Sequence, residues 1–207
     1  MRFDAEQAAT LETILRWRRD VRHFRTDPVD EGVLARLAEV MALAPSVGNA
    51  RPWRVIRVED AALRAAIRAD FERCDAEAAA GYGGEQAAAY RALKLAGLDA
   101  APVQLAIFTH IDPAEGHGLG RRTMPETLRQ STAMAIHTLW LAARAANLGM
   151  GMVSILDPAA MERLFTVPPD WAFTAYLCLG HAEWEDDTPL LHRAGWQENV
   201  PTRWAVR

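Results

Sequence analysis

One segment of the chain, Thr127–Asn147, has a helical pattern that is apolar on most of its surface. Other parts of the protein or a second subunit must cover such a helix, because its apolar side chains would otherwise face water. The apolar residues are Ala133, Met134, Ala135, Ile136, Leu139, Trp140, Leu141 and Ala142. We therefore predict a long helix that packs either in the centre of the fold or in a subunit interface.

Shorter patterns on both sides of this segment predict an irregular series of helices and strands. Helices are expected at 6–18, 33–41, 61–80 and 86–95 and after Asp157-Pro158, and strands at 55–58, 103–109, 152–155 and 172–179. The helices do not alternate regularly with the strands, so a strict βαβ order is excluded. We predict an α+β sandwich with a mixed central sheet flanked by helices, and a length of 207 residues suits one domain, 1–207.

Composition excludes several classes of protein. Half of the residues are hydrophobic and 24% are charged, which is enough apolar material for a core and argues against disorder. The net charge of −4 disfavours a general nucleic-acid binder, and no run reaches the roughly 18 apolar residues of a membrane span. The first residues lack the apolar centre of an export signal, so we expect a cytoplasmic protein. Cys74 and Cys178 lie too far apart for a metal knuckle, and we expect no metal.

Positive charge is concentrated near the end of the first predicted helix. The cluster surrounds Asp20 and consists of Arg16, Arg18, Arg19, Arg22 and Arg25. The planar guanidinium group suits phosphate and carboxylate oxygens, and Arg18 and Arg22 would converge if the helix continued through both. The alternative is a solvated helix end, where the helix dipole favours cations.

Two other segments could contact a ligand. The segment Ala44–Trp53 contains two prolines and a glycine, so it is predicted to be neither helix nor strand; it offers backbone N–H groups and the Ser46 hydroxyl. Gly149 and Gly151 precede a strand and would allow a bulky or planar group to approach closely. Taken alone, Ala44–Trp53 is better explained as an ordinary connection from helix to strand, and the glycine pair is a weak signal. The histidines at 110 and 117 lack a third ligand at fixed spacing, so a solvated loop is the better interpretation there.

Several segments, taken together and in this order, resemble one enzyme family. They are Arg18–Phe24, Ala44–Gly48, Tyr90–Gly97, Ala101-Pro102, Gly118–Thr127, Leu139–Ala145, Val153–Ile155, Tyr176–Gly180 and Gly195-Trp196. These segments are similar to those of the 5,6-dimethylbenzimidazole synthase family, within the flavin nitroreductase-like superfamily. The resemblance runs from about Leu11 to Trp196.

The resemblance implies a homodimer that binds FMN at the subunit interface, with a helical lid at about 61–98. It also implies that reduced FMN is a substrate, which O2 fragments to 5,6-dimethylbenzimidazole and erythrose 4-phosphate in cobalamin (vitamin B12) biosynthesis. A separate flavin reductase could supply the reduced FMN.

The resemblance further assigns two catalytic residues, Asp20 for proton transfer and Ser154 beside the flavin ring, where it would steer the fragmentation. An ion pair with a neighbouring arginine is the alternative role for Asp20. The residues expected to contact FMN are Arg18, Arg19, Asp20, Val21, Arg22, Pro45, Ser46, Lys94, Leu95, Met152 and Ser154.

The sequence also departs from the family pattern. Met152 stands where the family usually has tryptophan, and Arg51 stands where it usually has glutamine. Two other functions therefore stay open. One is an NAD(P)H-dependent FMN nitroreductase or flavin reductase, which needs an open face for nicotinamide, and the other is a non-enzymatic FMN-binding protein.

Overall fold

The computed structural model describes all 207 residues and contains one four-stranded sheet. The strands are β1 (Trp53–Arg57), β2 (Val103–His110), β3 (Gly149–Val153) and β4 (Trp171–Gly180), and their order across the sheet is β1-β2-β4-β3. The two long apolar strands, β2 and β4, form the centre. The prediction of a covered central strand beginning at Val103 is confirmed.

Seven α-helices surround the sheet. They are α1 (Ala5–Trp17), α2 (Glu31–Met41), α3 (Ala61–Ala80), α4 (Gly84–Ala92), α5 (Thr127–Ala145), α6 (Pro158–Leu164) and α7 (Leu190–Arg193). The carboxylates of Asp30 and Asp157 accept backbone N–H groups at the starts of α2 and α6 and so cap both helices. No helix is both long and apolar enough to cross a membrane.

The sheet is covered by helices on both faces. Alternate residues of a strand point to opposite faces, so β2 and β4 each contribute to two separate apolar clusters. One cluster joins the sheet to α2 and α5, and its members include Leu37, Met41, Ala135, Leu139, Ile107 and Leu177. The other joins the sheet to α3 and α6, and its members include Ile67, Met161, Phe108, Tyr176 and Cys178. The predicted α+β sandwich is confirmed. The long helix packs on the sheet through one face, while Ala133 and Met134 on another face are exposed.

The prediction of a mixed sheet is wrong. All three strand pairings are antiparallel, and the only parallel pairing is an isolated bridge between Asp20 and Met150. Apolar runs locate strands but carry no information on their direction, which depends on how each connection returns to the sheet.

Several predicted boundaries also need correction. Helix α1 ends at Trp17, so Arg18 and Arg22 are not one helical turn apart. Helix α4 ends at Ala92, so Lys94 and Leu95 follow the helix in which we expected them. Strand β3 ends at Val153, so Ser154 follows the strand in which we expected it. The segment 44–53 contains a short 3-10 turn at Val47–Asn49, although it was predicted to hold no helix, and β1 begins at its last residue.

Candidate functional site

Asp20 lies against the outer edge of β3. The backbone N–H of Val21 donates to the carbonyl of Met150 at 3.1 Å, and the N–H of Met152 donates to Oδ1 of Asp20 at 2.9 Å. A Cβ atom at Gly151 would collide with the carbonyl oxygen of Val21, so only glycine permits this approach. The close approach predicted at this glycine is therefore that of the protein's own backbone.

Arg22 pairs with the same carboxylate. Its Nε and Nη2 atoms lie 3.0 and 2.9 Å from Oδ2 of Asp20, and its Nη1 donates to the carbonyl of Lys94 at 2.9 Å. The Arg22 side chain is only 12% exposed, whereas Asp20 is 33% exposed. The carboxylate is thus fixed on one side and open to a ligand on the other. The ion pair that we weighed as the alternative role for Asp20 is present.

Arg18 and Arg19 lie beside the C-terminal half of α5. The guanidinium of Arg18 stacks over Trp140 at 4.9 Å, and the indole N–H of Trp140 donates to the carbonyl of Arg19 at 3.2 Å. The guanidinium of Arg19 donates to the carbonyl of Arg16. The Nε atoms of Arg18 and Arg19 are both buried and have no hydrogen-bond partner in the protein.

This arrangement suits an anion. A buried donor without a partner is costly, so a bound phosphate oxygen would satisfy what the chain leaves unsatisfied. The pKa of Arg19 lies below its ordinary value, first because the group is partly buried and second because the charge of Arg18 is close. A phosphate group would oppose both effects.

Pro45 and Ser46 belong to a different part of the surface. The hydroxyl of Ser46 accepts the N–H of Arg51 at 3.0 Å, and the next residue, Val47, donates its N–H to Ser131 of α5 at 3.0 Å. Ser131 precedes Trp140 by nine residues, or about 13 Å along the helix axis at 1.5 Å per residue. No hydrogen bond or ion pair joins Pro45 or Ser46 to Asp20 or its partners. The predicted site residues therefore form two groups along α5.

The other predicted residues lie around Asp20. Met152 and Ser154 are both exposed, while the residues that alternate with them in β3 are buried, so the two side chains share the outer side of the strand end. Lys94 is half-buried and lies 3.9 Å from Asp99. Leu95, the next residue, is half-buried as well.

Sequence reasoning missed the segment that follows β4. It forms one wall of a cleft whose opposite wall carries Arg19, Asp20 and Arg22. Within this cleft the rings of His23 and Trp184 are 4.3 Å apart. The pKa of His23 is lowered, first by burial and then by the positive charges of Lys94 and Arg22. The only sequence signal was the scatter of tryptophans in a polar tail.

The same tail reaches the segment 61–98. Trp196 meets the ring of Tyr82 edge-on at 5.5 Å, and Tyr82 stacks on Tyr90 at 4.8 Å. The hydroxyl of Tyr90 donates to Asp75 at 2.6 Å, and burial followed by this hydrogen bond raises the Tyr90 pKa. The tail therefore packs against the turn between α3 and α4 and against α4 itself.

The structure holds no group of three or more histidine, cysteine, aspartate or glutamate side chains suited to a metal ion. The two histidines predicted to lie in a solvated loop differ: His110 is instead the last residue of β2, where it is paired with Asp170 at 2.7 Å, and His117 is exposed.

Comparison with known proteins identifies the class. Residues 15–181 match the model of the nitroreductase family. The fold matches the crystal structure of oxidized iodotyrosine deiodinase bound to FMN and 3-iodo-L-tyrosine, with a TM-score of 0.73, 23% identity and coverage of 95% of this chain and 97% of that one. The chain belongs to the nitroreductase family and is an enzyme of that family.

The relatives with high sequence identity are more specific. The chain is 66% identical to a 5,6-dimethylbenzimidazole synthase of Rhodobacter capsulatus over 207 residues, which is 100% of both chains. It is 53% identical to the 5,6-dimethylbenzimidazole synthase of Rhodospirillum rubrum over 96% of this chain and 94% of that protein. The resemblance to the synthase family, first seen in short motifs, thus extends along the whole chain.

Proposed function

We propose that the protein is a 5,6-dimethylbenzimidazole synthase that uses O2 to fragment reduced FMN into 5,6-dimethylbenzimidazole and erythrose 4-phosphate for cobalamin biosynthesis. The observation that carries the proposal is the partly exposed carboxylate of Asp20, which is fixed between β3 and Arg22. The exposed Ser154 lies two residues after Met152, the residue whose N–H binds this carboxylate. Full-length identity to named synthases supports the same reaction.

Arg18 and Arg19 would hold the phosphate of FMN. Their Nε atoms are buried and have no partner in the protein, which is otherwise true only of the Nε of Arg121, and a phosphate oxygen would satisfy them. The other residues around the flavin would be Val21, Arg22, Pro45, Ser46, Lys94, Leu95 and Met152. Reduced FMN, when bound, supplies both the electrons that reduce O2 and the ring atoms kept in the product.

Asp20 would accept and return a proton during the fragmentation. Its Oδ1 atom accepts the Met152 N–H and its Oδ2 atom accepts Arg22. These two contacts fix the orientation of the carboxylate, so it does not have to rotate to meet its substrate. Ser154 would donate a hydrogen bond from its hydroxyl to the reacting ring, because its side chain is exposed on the same side of the strand end as Met152. It would therefore affect product formation more than binding.

A second copy of the chain would complete the site. The apolar side chains of α1 are not covered, since Leu11, Leu15 and Trp17 are 52%, 40% and 39% exposed, and Met134 on α5 is 41% exposed. The two groups of site residues along α5 would then meet across a homodimer interface. In each subunit residues 1–207 would act as one domain, with 61–98 as the lid, and a separate reductase could supply reduced FMN.

The test is chemical. Purified protein is incubated with FMN, a reductant that keeps FMN reduced, and air, and 5,6-dimethylbenzimidazole is measured by chromatography and mass spectrometry. We expect the product to accumulate while flavin disappears, and to require both O2 and enzyme. Bound FMN with steady NAD(P)H oxidation and no benzimidazole would instead establish a flavin reductase. Binding of FMN with neither activity would establish a flavin-binding protein.

A further inference from the structure

Arg22 differs from the two arginines before it in how fully the protein uses its guanidinium. Its Nε and Nη2 contact Asp20, and its Nη1 contacts the carbonyl of Lys94, which lies 72 residues away in the sequence. All three nitrogens therefore have protein partners. Arg18 and Arg19, by contrast, each keep a buried Nε without one. Arg22 is thus the arginine of this cluster least suited to hold a phosphate.

The partner at Lys94 belongs to the returning end of the lid, residues 93–98, which we call the lid stem. The stem also packs on Phe24, two residues after Arg22. A Cβ atom at Gly97 would collide with the ring of Phe24, which is 2% exposed. The stem therefore rests on the Asp20–Phe24 segment at two points, one apolar and one a hydrogen bond to Arg22.

From this geometry we infer that Arg22 is a positioning residue that couples the closed lid to the orientation of the Asp20 carboxylate. When the stem lies on Arg22, the Lys94 carbonyl and the Asp20 carboxylate hold the guanidinium from two sides. Movement of the stem away removes one of these anchors and leaves the carboxylate paired with a freer side chain. The Oδ1 atom of Asp20 stays bonded to Met152, but Oδ2 is held firmly only while the lid is closed, which confines the reaction to the covered site.

A second aspartate–arginine pair, which has no contact with the lid, provides a comparison. Arg25 and Asp27 have the same spacing in sequence and an Nε–Oδ2 distance of 2.7 Å, yet both are about half exposed and no third group joins them. A surface pair of this kind contributes little. The burial of Arg22 and its contact with a distant backbone carbonyl set it apart.

The inference rests on the proposed function for the role of Asp20, but its first test does not. Hydrogen–deuterium exchange of peptides covering 90–98 is compared in FMN-free wild type, Arg22→Gln, Arg22→Lys and Arg91→Gln. Arg91 is an exposed lid arginine without an ion pair and serves as the matched control. We expect Arg22→Gln to speed exchange in the stem by about tenfold or more, as for loss of a hydrogen bond to a charged group, and Arg91→Gln to leave it unchanged.

The second test separates positioning from binding. The FMN dissociation constant and the single-turnover rate of product formation are measured for the same variants. We expect Arg22→Gln to lower the rate by about tenfold to a hundredfold while the dissociation constant changes less than about threefold. Arg22→Lys keeps the charge but cannot reach both partners with one ammonium group, so it should restore part of the rate and little of the stem protection.

Three results would overturn the inference. One is unchanged stem exchange in folded Arg22→Gln. The second is full recovery of both rate and protection in Arg22→Lys, which would mean that charge alone matters. The third is a loss of FMN affinity as large as the loss of rate, which would make Arg22 an FMN-binding residue rather than a positioning residue. If Arg22→Gln does not fold, hydrogen–deuterium exchange of the stem in Arg22→Lys tests the inference instead, and unchanged exchange there would overturn it. If wild type forms no benzimidazole, the proposed function fails while the exchange result still tests the coupling to the lid.

Discussion

The carboxylate of Asp20 accepts the backbone N–H of Met152 at 2.9 Å, so the residue proposed to transfer protons also pairs with the outer edge of the sheet. This relationship guides the choice of substitution. In Asp20→Asn the amide oxygen can still accept from Met152, so the segment keeps its place. The negative charge and the ability to take up a proton are lost, and so are the two contacts with Arg22, because the amide nitrogen that replaces Oδ2 cannot accept a hydrogen bond.

We expect Asp20→Asn to lower benzimidazole formation by at least about a hundredfold, in line with the loss of a general acid–base group. FMN binding should stay within about threefold of wild type, because Arg18 and Arg19 are unchanged. Product is measured by chromatography and binding by flavin fluorescence. Asp27→Asn removes an exposed carboxylate with the same arginine spacing and should have wild-type activity. Substantial activity in Asp20→Asn would remove Asp20 from the chemistry.

Ser154→Gly tests the second proposed catalytic residue. Its hydroxyl has no hydrogen-bond partner in the protein and its side chain is exposed just after β3, so its removal should cost little stability. We expect product formation to fall by about tenfold or more, with a smaller change in FMN affinity, consistent with loss of one hydrogen bond to the substrate. A parallel loss of both would make Ser154 a binding residue only. The measurement is the single-turnover rate together with the dissociation constant.

Trp196→Ala tests the contact between tail and lid. Trp196 packs against Tyr82 and Tyr90, and each aromatic pair is worth about 0.5–1.5 kcal/mol. The variant should therefore be cleaved by chymotrypsin within 61–98 about threefold to tenfold faster than wild type. Trp204→Ala provides the control, since that residue is 93% exposed. Equal cleavage of wild type and Trp196→Ala would show that the tail does not hold the lid.

His23 gives an expected pH dependence. Its folded-state pKa lies below the usual 6.5, so the unfolded chain binds a proton more readily than the folded protein. Stability should then be lost as pH falls below about 6.5 toward the folded-state value. We expect His23→Gln to lose less unfolding free energy than wild type between pH 7.5 and 5.5 in urea titrations. His117→Asn, a change at an exposed histidine with positive φ, should follow wild type.

The sequence was most informative where local chemistry decides the structure. The bounds of α3 were predicted correctly because an alanine-rich pattern ends at a glycine. The central strand β2 was predicted because five of its eight residues are apolar. Strand direction and the end of α1 depended on tertiary contacts. No glycine or proline marks Trp17 as the last helical residue; the chain becomes extended beyond it because Asp20 and Val21 pair with β3.

The same distinction holds for the candidate site. Similarity of motifs selected Asp20, Arg18 and Arg19, and the structure gives each an environment suited to its proposed role. The link from Arg22 to Lys94 spans 72 residues, and the contact of Trp196 with Tyr82 spans more than a hundred. Neither has a local pattern, so neither could be predicted from periodicity or residue type.

The pairing of the Asp20 segment with β3 also bears on aggregation. An uncovered edge strand offers a row of N–H and C=O groups to other chains, and proteins usually protect such edges with charge, proline or a covering segment. Here the covering segment carries the proposed proton-transfer group, and the carboxylate itself caps the Met152 N–H. A residue without an oxygen at position 20 would therefore weaken that protection as well as the chemistry. Solubility and activity would decline together, although neither loss would cause the other.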